Sequence, residues 1–517
     1  MKRLFTREAM FVAGVIFLAI FFAKFPTLYH WFNTPEGYWY PKQTSWFDAW
    51  DTNFQVSYMR YGQLYGMGLV NTYATIPHGP VYIYQYYTFL GVINRLFNLD
   101  PFILFHIASI VTGIVLIVAC YMVAKELFSD QIIRLSAFVV MVLGGGFGFL
   151  SLLSFSADLK IAGFTLVNAL ERGHDALSTV CLLLTFVFLH KFFQTFSRSS
   201  LYWAGVFSCI SILLHPPFAV VYLLIGLIVS LWIYVIKKIK ITVLYPIAIV
   251  LFFGIYYLSA LSALLDNPGF SGLINQKLFN VDSLSLVSGF GLLSIPLFIG
   301  LVFGKNSLKM SLVKIFFLSQ LFFALSPFGF HLYFMKGVFI WAVTLAFLMF
   351  PDLIPNRRYL LIAVTFVTLF SLLPRFYVFQ KLIKIEKNNS FFFLSESEGD
   401  MLSKIERLPQ GSSILSLYRI GNYIPAHSNN RVYFGHKFQT PNSLEKETLA
   451  KAFYSKMDKE RQLEFIRNNT IDFVYYGLEE MSTRKLERLP LENPFSYFPT
   501  VASNSGILLY DVRNIVN

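Results

Sequence analysis

The sequence predicts a polytopic α-helical membrane protein with a small C-terminal soluble α/β domain. Of the 517 residues, 56% are hydrophobic and only 14% are charged, whereas about a quarter of the residues in a typical soluble domain are charged. The apolar residues form runs long enough to cross a bilayer, which takes roughly 20 residues per helix. After about Lys381 the composition turns abruptly polar.

Three basic residues, Lys2, Arg3 and Arg7, precede the first apolar run. A secretory signal has the same order of a basic segment and an apolar core. No small-residue cleavage site follows this run, so we interpret it as a retained membrane helix. About eleven spanning segments are expected in all, at 8–25, 101–123, 132–153, 176–196, 201–215, 216–236, 241–263, 285–304, 312–327, 332–350 and 359–377.

The positive charges predict the orientation. With a cytoplasmic N-terminus, clusters of Lys and Arg at 191–198, 237–240, 305–314 and 357–358 fall in inner loops, where the positive-inside rule expects them. The same orientation places the large loop 28–100 and the C-terminal domain outside the cell. We therefore expect a multi-pass plasma-membrane protein.

Two domains are expected, a transmembrane domain over 1–380 that includes the loop 28–100, and an extracytoplasmic α/β domain over 381–517. Charged helical stretches in the second alternate with short β-rich runs. The helical stretches are 396–407, 442–468 and 482–488, and the β-rich runs are Ile414 to Leu417, Arg431 to Phe434, Phe473 to Tyr476 and Ile507 to Val512.

Charge and motifs exclude several functions. The net charge of +13 comes from short clusters between apolar runs, so it indicates topology rather than a nucleic-acid partner. The cysteines, Cys120, Cys181 and Cys209, lie in apolar runs without paired spacing and indicate packing. No phosphate-binding GxxxxGK[ST], GxGxxG after a strand, HExxH or GxSxG is present, which disfavours nucleotide-driven transport and the common hydrolases.

Two carboxylates in the first outer loop, Asp48 and Asp51, are the strongest candidates for chemistry. Aromatic residues surround them in the sequence, and a carboxylate just outside the bilayer suits a base that deprotonates an acceptor. Asp51 could instead cap a helix with Thr52 and Asn53. Asp48 is the rival for the role of base, or a partner that binds a metal or accepts a hydrogen bond.

The same loop carries two further candidates for substrate binding. Arg60 could contact a phosphate or form a structural ion pair with a carboxylate. His78, between Pro77 and Gly79, could bind substrate, but its context is also typical of a turn.

Other candidates for substrate binding occur at predicted outer ends of membrane helices. His174 and Asp175 precede an apolar run, where Asp175 could also serve as a helix cap. His215 lies at a hairpin tip, and His331 and Lys336 precede another run. A cation there could neutralise the phosphate of a lipid-linked donor, although Lys336 could instead extend to the lipid headgroups.

These features together resemble the GT-C superfamily of integral membrane glycosyltransferases, which includes the protein O-mannosyltransferases and the aminoarabinose and RgtA/B/C/D-like transferases. A closer resemblance is to uncharacterised prokaryotic members. The similar segments are Asp51 followed by Arg60 and Gly62, Leu214-His215-Pro216, Phe330 to Gly337, Ile424 to Asn442, and Ile471 to Glu480. Tyr61 stands where those members have a polar residue, and Lys336 stands where they have an arginine.

The resemblance implies inverting transfer of a sugar from a polyprenyl-phosphate donor, with an aspartate base, to a lipid, glycan or protein acceptor. Some relatives use a divalent cation, and Asp48, Asp51 and Asp175 could supply oxygen ligands. The sequence leaves the metal open and indicates no other cofactor. In the tail, His436, Lys437 and Asn442 could contact a glycan or serve as structural residues.

Two other functions stay open. A transporter or flippase of a lipid-linked saccharide would need polar residues at the membrane midplane, and the predicted helices are nearly free of charge. A noncatalytic envelope protein that binds glycan would depend on residues 385–517 and not on Asp51.

Overall fold

A computed structural model describes residues 7–44, 49–83, 85–150, 156–237, 248–249, 251–252, 255–256, 265–274, 282–304, 307–326, 331–385, 389, 392–492 and 494–516. The chain divides into two compact units. The helical unit comprises Met1–Pro26, His106–Leu258 and Leu278–Lys384, and the mixed unit comprises Thr27–Phe105, Ser259–Lys277 and Ile385–Asn517.

The helices account for most of the chain. In order they are α1 (Arg7–Phe32), α2 (Ala49–Tyr65), α3 (Gln85–Phe97), α4 (Pro101–Leu127), α5 (Gln131–Leu143), α6 (Ala157–Lys160), α7 (Leu166–Ala169), α8 (Gly173–Thr195), α9 (Arg198–Leu214), α10 (Phe218–Lys237), α11 (Ser271–Ile274), α12 (Ser283–Phe290), α13 (Ser294–Phe303), α14 (Leu308–Ala324), α15 (His331–Phe334), α16 (Val338–Leu353), α17 (Arg357–Ser371), α18 (Leu373–Ile383), α19 (Glu396–Glu406), α20 (Tyr418–His427), α21 (Ser443–Ser455), α22 (Lys459–Asn468), α23 (Leu478–Leu486) and α24 (Arg513–Val516).

Several helices are long and apolar enough to cross a membrane, so the chain is a multi-pass membrane protein. Within the described residues there are five of them, Arg7–Phe32, Pro101–Leu127, Gly173–Thr195, Ser283–Phe303 and Arg357–Ile383. The predicted segments 201–215, 216–236 and 332–350 correspond to shorter apolar helices, Arg198–Leu214, Phe218–Trp232 and Val338–Leu353. The predicted segment 241–263 lies mostly outside the described residues.

Buried polar side chains tie the core of the helical unit together. Trp341 of α16 donates its indole N–H to Oε1 of Gln320 in α14 at 2.7 Å. The Gln320 amide donates in turn to the carbonyl oxygens of Phe334 and Lys336, at 3.0 and 2.9 Å. Because a buried polar group is costly unless it is hydrogen-bonded, this network fixes the turn that precedes α16.

A glycine-rich segment ends α5 and wraps a buried carboxylate. The backbone N–H groups of Gly146 and Gly148 donate to Oδ2 of Asp158, at 2.8 and 3.3 Å. A side chain at Gly146 would overlap the carbonyl oxygen of Ser288, so close packing requires glycine at that position. The helix therefore ends at Gly144, and the glycines after it pack closely.

A five-stranded sheet organises the tail of the mixed unit. Its strands are β3 (Ser413–Leu415), β4 (Arg431–Val432), β5 (Phe473–Tyr476), β6 (Thr500–Asn504) and β7 (Ile507–Asp511), in the spatial order β4-β3-β5-β7-β6. β3 is parallel to β4 and β5, and β7 is antiparallel to β5 and β6. A separate antiparallel pair joins β1 (Tyr38–Trp39) of the first loop to β2 (Leu394–Ser395) of the tail.

The first loop is largely helical in the mixed unit, where α2 and α3 cross at two glycines. A side chain at Gly62 would overlap the carbonyl oxygen of Thr88, and one at Gly91 would overlap that of Met59. The two backbones thus approach as closely as glycine permits. This crossing fixes α2, which carries Asp51 in its first turn.

Candidate functional site

Asp51 lies in the first turn of α2, where the helix dipole favours a negative charge. Its Oδ1 is 3.2 Å from Nε2 of His436 in the tail. The side chain of Asp51 is 21% exposed, whereas that of His436 is 1% exposed. A partly exposed carboxylate that is oriented by a buried neighbour can accept a proton from a bound molecule.

Buried side-chain hydrogen bonds connect the first loop to the tail and to the 265–274 segment. Asn53 donates to Oδ1 of Asn422 at 2.6 Å, and Tyr58 donates to Oε1 of Gln439 at 2.9 Å. Asn71 donates to the carbonyl oxygens of Gly269 and Gln439, at 2.6 and 2.8 Å. These buried bonds hold three distant stretches of sequence in one arrangement around Asp51.

A small cavity lies beside the first turn of α2. It is shallow and is lined by Trp50, Tyr418, Arg419, Asn422 and Tyr423. Burial raises the pKa of the Tyr418 hydroxyl, and the Asp51 carboxylate raises it further, so this hydroxyl stays a neutral donor. Arg419 is held by an ion pair with Glu398. Aromatic faces with a few fixed polar groups are the usual lining of a small-molecule site.

The two other loop candidates make contacts with the protein itself. Arg60 forms an ion pair with Glu406 at 3.1 Å, which is the structural alternative that the sequence left open. The His78 ring accepts the backbone N–H of Asn71 at 2.8 Å and contacts the carbonyl oxygen of Ile76 at 2.7 Å. Burial lowers the pKa of His78. These contacts fix His78 in an irregular segment, where its flanking residues had predicted a turn.

A second polar cluster forms within the helical unit. The Lys336 ammonium contacts Asp175 in a buried ion pair and lies 3.3 Å from Nδ1 of His215. His174 places Nε2 at 3.0 Å from the same Asp175 oxygen, and Nε2 of His215 lies 3.1 Å from the carbonyl oxygen of Tyr333. The structure therefore brings together four candidates from three separate stretches of sequence.

Two candidates cannot be placed as side chains. Asp48 lies outside the described residues. His331 begins α15, but the described part of the chain does not include its side chain.

The sequence matches no known family model and no curated protein, but the structure is similar to solved membrane transferases. An oligosaccharyltransferase of Archaeoglobus fulgidus, solved with a tethered acceptor peptide, gives a TM-score of 0.57 at 11% identity over 91% of this chain and 69% of that chain. ArnT of Cupriavidus metallidurans, bound to undecaprenyl phosphate, gives 0.51 at 10% identity over 98% of both chains. The mycobacterial arabinofuranosyltransferase AftD gives 0.56 at 11% identity over 98% of this chain and 40% of that chain.

This is the GT-C fold. All three neighbours are GT-C membrane glycosyltransferases, so the GT-C fold that the resemblance implied is confirmed. At these identities the similarity establishes the fold, and the chemistry must be argued from this chain's own residues.

The sequence analysis missed the buried cations Lys24 and Arg375 of the helical unit. Lys24 of α1 forms an ion pair with Glu171 at 2.8 Å, with both side chains nearly inaccessible. Arg375 of α18 donates to the carbonyl oxygen of Ala19 at 3.2 Å. Lys24 and Arg375 each stand in an apolar run, which was the available signal. Asp158 was missed as well, and burial raises its pKa.

The possible divalent cation stays a prediction, because Asp48 lies outside the described residues. No group of three or more His, Cys, Asp or Glu side chains among them lies close enough to share a cation. Asp175 is engaged by Lys336, and Asp51 has His436 as its described neighbour. The steps proposed below therefore use protein groups alone.

Proposed function

We propose that this protein is a glycosyltransferase that moves a sugar from a polyprenyl-phosphate carrier to an acceptor on the outer face of the plasma membrane. The observation that carries the proposal is the match to ArnT, which spans 98% of both chains and was solved with undecaprenyl phosphate bound. A second GT-C neighbour was solved with dolichol phosphate. Both ligands are long-chain lipid phosphates of the kind expected for the donor carrier.

Asp51 acts as the general base. As the acceptor oxygen or nitrogen attacks the anomeric carbon of the donor sugar, its proton passes to a carboxylate oxygen of Asp51. The bond between the anomeric carbon and the phosphate oxygen breaks, and the phosphate leaves with the bonding electron pair on its lipid carrier. Attack on the face opposite the phosphate inverts the anomeric centre. Asp48 stays the alternative base.

Lys336, with His174 and His215 beside it, is proposed to contact the donor phosphate and to stabilise its developing charge. The Lys336 ammonium forms an ion pair with Asp175 in the structure. A phosphate oxygen would therefore have to share this contact or replace Asp175 in it. Comparing Asp175→Asn with Asp175→Asn/Lys336→Met tests the role without leaving an unpaired buried carboxylate. The double variant should bind undecaprenyl phosphate more weakly, and equal binding would make the cluster structural.

The aromatic surface beside α2 is proposed to contact a sugar ring of the acceptor. Trp50, Tyr418 and Tyr423 offer apolar faces and Asn422 offers an amide, a combination that suits a ring with one apolar face and several hydroxyl groups. Trp50→Ala should raise KM for the acceptor while donor hydrolysis by water continues. An unchanged acceptor KM would remove this assignment.

The proposal is tested by incubating purified protein with a panel of radiolabelled polyprenyl-phosphate sugars, using water and an envelope extract as acceptors. Release or transfer of label from one donor would establish the enzyme, and the anomeric configuration of the product by NMR would report inversion. Binding of a donor without turnover would instead favour the second candidate, a transporter of lipid-linked saccharides. The buried pair of Lys24 and Glu171 within the helical unit is the observation that favours that candidate.

A further inference from the structure

We propose that His436 is a positioning residue for Asp51: its neutral imidazole donates a hydrogen bond that orients the carboxylate. The inference rests on the proposed function, in which Asp51 is the base. It assigns a specific task in that site to a residue of the tail, 385 positions away in the sequence.

The contacts of the imidazole determine which ring nitrogen carries the proton. Nδ1 of His436 accepts the backbone N–H groups of Phe438 and Gln439, both at 3.2 Å. A backbone N–H can only donate, so Nδ1 must present its lone pair. In the neutral ring the proton is then on Nε2, which is the atom 3.2 Å from Oδ1 of Asp51.

The surroundings of the ring keep it in this orientation. Phe54 and Tyr73 lie edge-on to it, with ring centroids 5.1 and 5.7 Å away. The Thr440 hydroxyl accepts the backbone N–H of His436 at 3.2 Å, and the Thr440 N–H donates back to the His436 carbonyl oxygen at 2.8 Å. A turn closed from both sides leaves the imidazole little freedom to rotate.

The hydrogen bond has two chemical consequences. A donor to the ionised carboxylate favours the charged form, which is the form that acts as a base. It also fixes the position of Oδ1 and thereby orients the carboxylate. Among the described residues, His436 contacts Asp51, and the hydroxyl groups of Tyr73 and Tyr418 interact with its charge. Burial raises the pKa of both tyrosines, so neither titrates in the acid range where the carboxylate does.

Two substitutions of His436 distinguish its contacts within the turn from its hydrogen bond to Asp51. In His436→Asn the side-chain oxygen can still accept the N–H groups that Nδ1 accepts, but the amide is too short to reach Asp51. In His436→Gln the longer side chain can place an amide N–H near the position of Nε2. We expect His436→Asn to lower kcat about tenfold or more and to shift the acidic limb of the pH–rate profile to higher pH, and His436→Gln to restore most of both.

His427→Phe is the matched control, because His427 is another enclosed tail histidine and stacks on Phe102. It should leave the acidic limb in place. An acidic limb in His436→Asn identical to that of the wild type, in protein with an unchanged melting temperature, would overturn the inference. Full activity of Asp51→Asn would instead refute the proposed base, so the two failures are distinguishable.

Discussion

Lys336 and Asp175 form an ion pair almost wholly removed from water, with side chains that are 5% and 1% exposed. Removing one partner leaves the other as an uncompensated buried charge, which typically costs about 3–5 kcal/mol. We therefore expect Lys336→Met to lower the stability of purified protein by about that amount, measured by denaturant titration in detergent.

Removing both charges provides the control for this prediction. Lys336→Met combined with Asp175→Asn should recover most of the lost stability, because no lone charge is left buried. If the double variant were no more stable than the single one, the energetic account of the pair would be wrong.

Because the His427 ring is enclosed, we expect the folded protein to lose stability in acid. Its ring stacks on Phe102 with a centroid distance of 4.8 Å and lies edge-on to Trp39 at 5.1 Å. Burial lowers the pKa of His427 from 6.5 to about 3. Between these two pH values the unfolded chain binds a proton that the folded chain does not, so stability should fall as the pH drops from about 6.5 toward about 3.

His427→Phe should flatten this pH dependence, because phenylalanine keeps the ring contacts and cannot be protonated. Melting temperatures of both proteins at pH 7.0 and at about pH 4.5 would measure the difference. If the variant lost as much stability in acid as the wild type does, the pH dependence would come from another group.

At the scale of residues, the sequence could nominate functional side chains but not their partners. Asp51 stood out because a carboxylate in an aromatic frame is unusual next to a membrane. His436 did not, because its contact with Asp51 spans 385 positions and follows no helical or strand period. The buried pair of Lys24 and Glu171 was missed for the same reason.

The crossing of α2 and α3 is the element-scale feature on which Asp51 depends. A methyl group at Gly91 would overlap the Met59 carbonyl oxygen and crowd the Gln63 amide. Overpacking of this kind costs typically about 1–3 kcal/mol, so we expect Gly91→Ala to destabilise the protein by at least that much and to impair turnover through α2.

Gly79→Ala is the control, since a side chain at Gly79 would meet no atom within 4 Å. Denaturation and activity should both stay close to those of the wild type. Equal effects of the two substitutions would show that the crossing does not control the position of α2.

At the scale of elements, periodicity and composition predicted several helices and strands of the tail. The predicted helix 396–407 is α19, and the predicted run Phe473 to Tyr476 is β5. The helix α20 was not predicted, because it contains Gly421 and Pro425, two residues that disfavour helices. The short strand β6 was also missed.

The orientation in the membrane is a prediction for the whole molecule. Ser505 in the tail and Ser199 at the start of α9 are both exposed, and positive charge places the first outside and the second inside the cell. A membrane-impermeant maleimide should label Ser505→Cys in intact cells and Ser199→Cys only after lysis. The opposite pattern would invert the topology.

At the same scale, apolar runs and resemblance were sufficient to predict a GT-C membrane protein, and the structural neighbours agree. The number of crossings was less certain, because several apolar helices are shorter than a bilayer-spanning length. The grouping of the first loop with the tail in one compact unit could not be read from the sequence, because it depends on hydrogen bonds between distant polar side chains such as Asn53 and Asn422.

The measurement that tests the central claim most directly is sugar transfer by wild type, Asp51→Asn and Asp400→Asn with the donor found in the panel. Asp400 is an exposed aspartate of the same unit, so its substitution controls for a lost charge. We expect Asp51→Asn to lose at least about a hundredfold in turnover, as removal of a general base does, while Asp400→Asn keeps wild-type activity. Wild-type turnover by correctly folded Asp51→Asn would contradict the account.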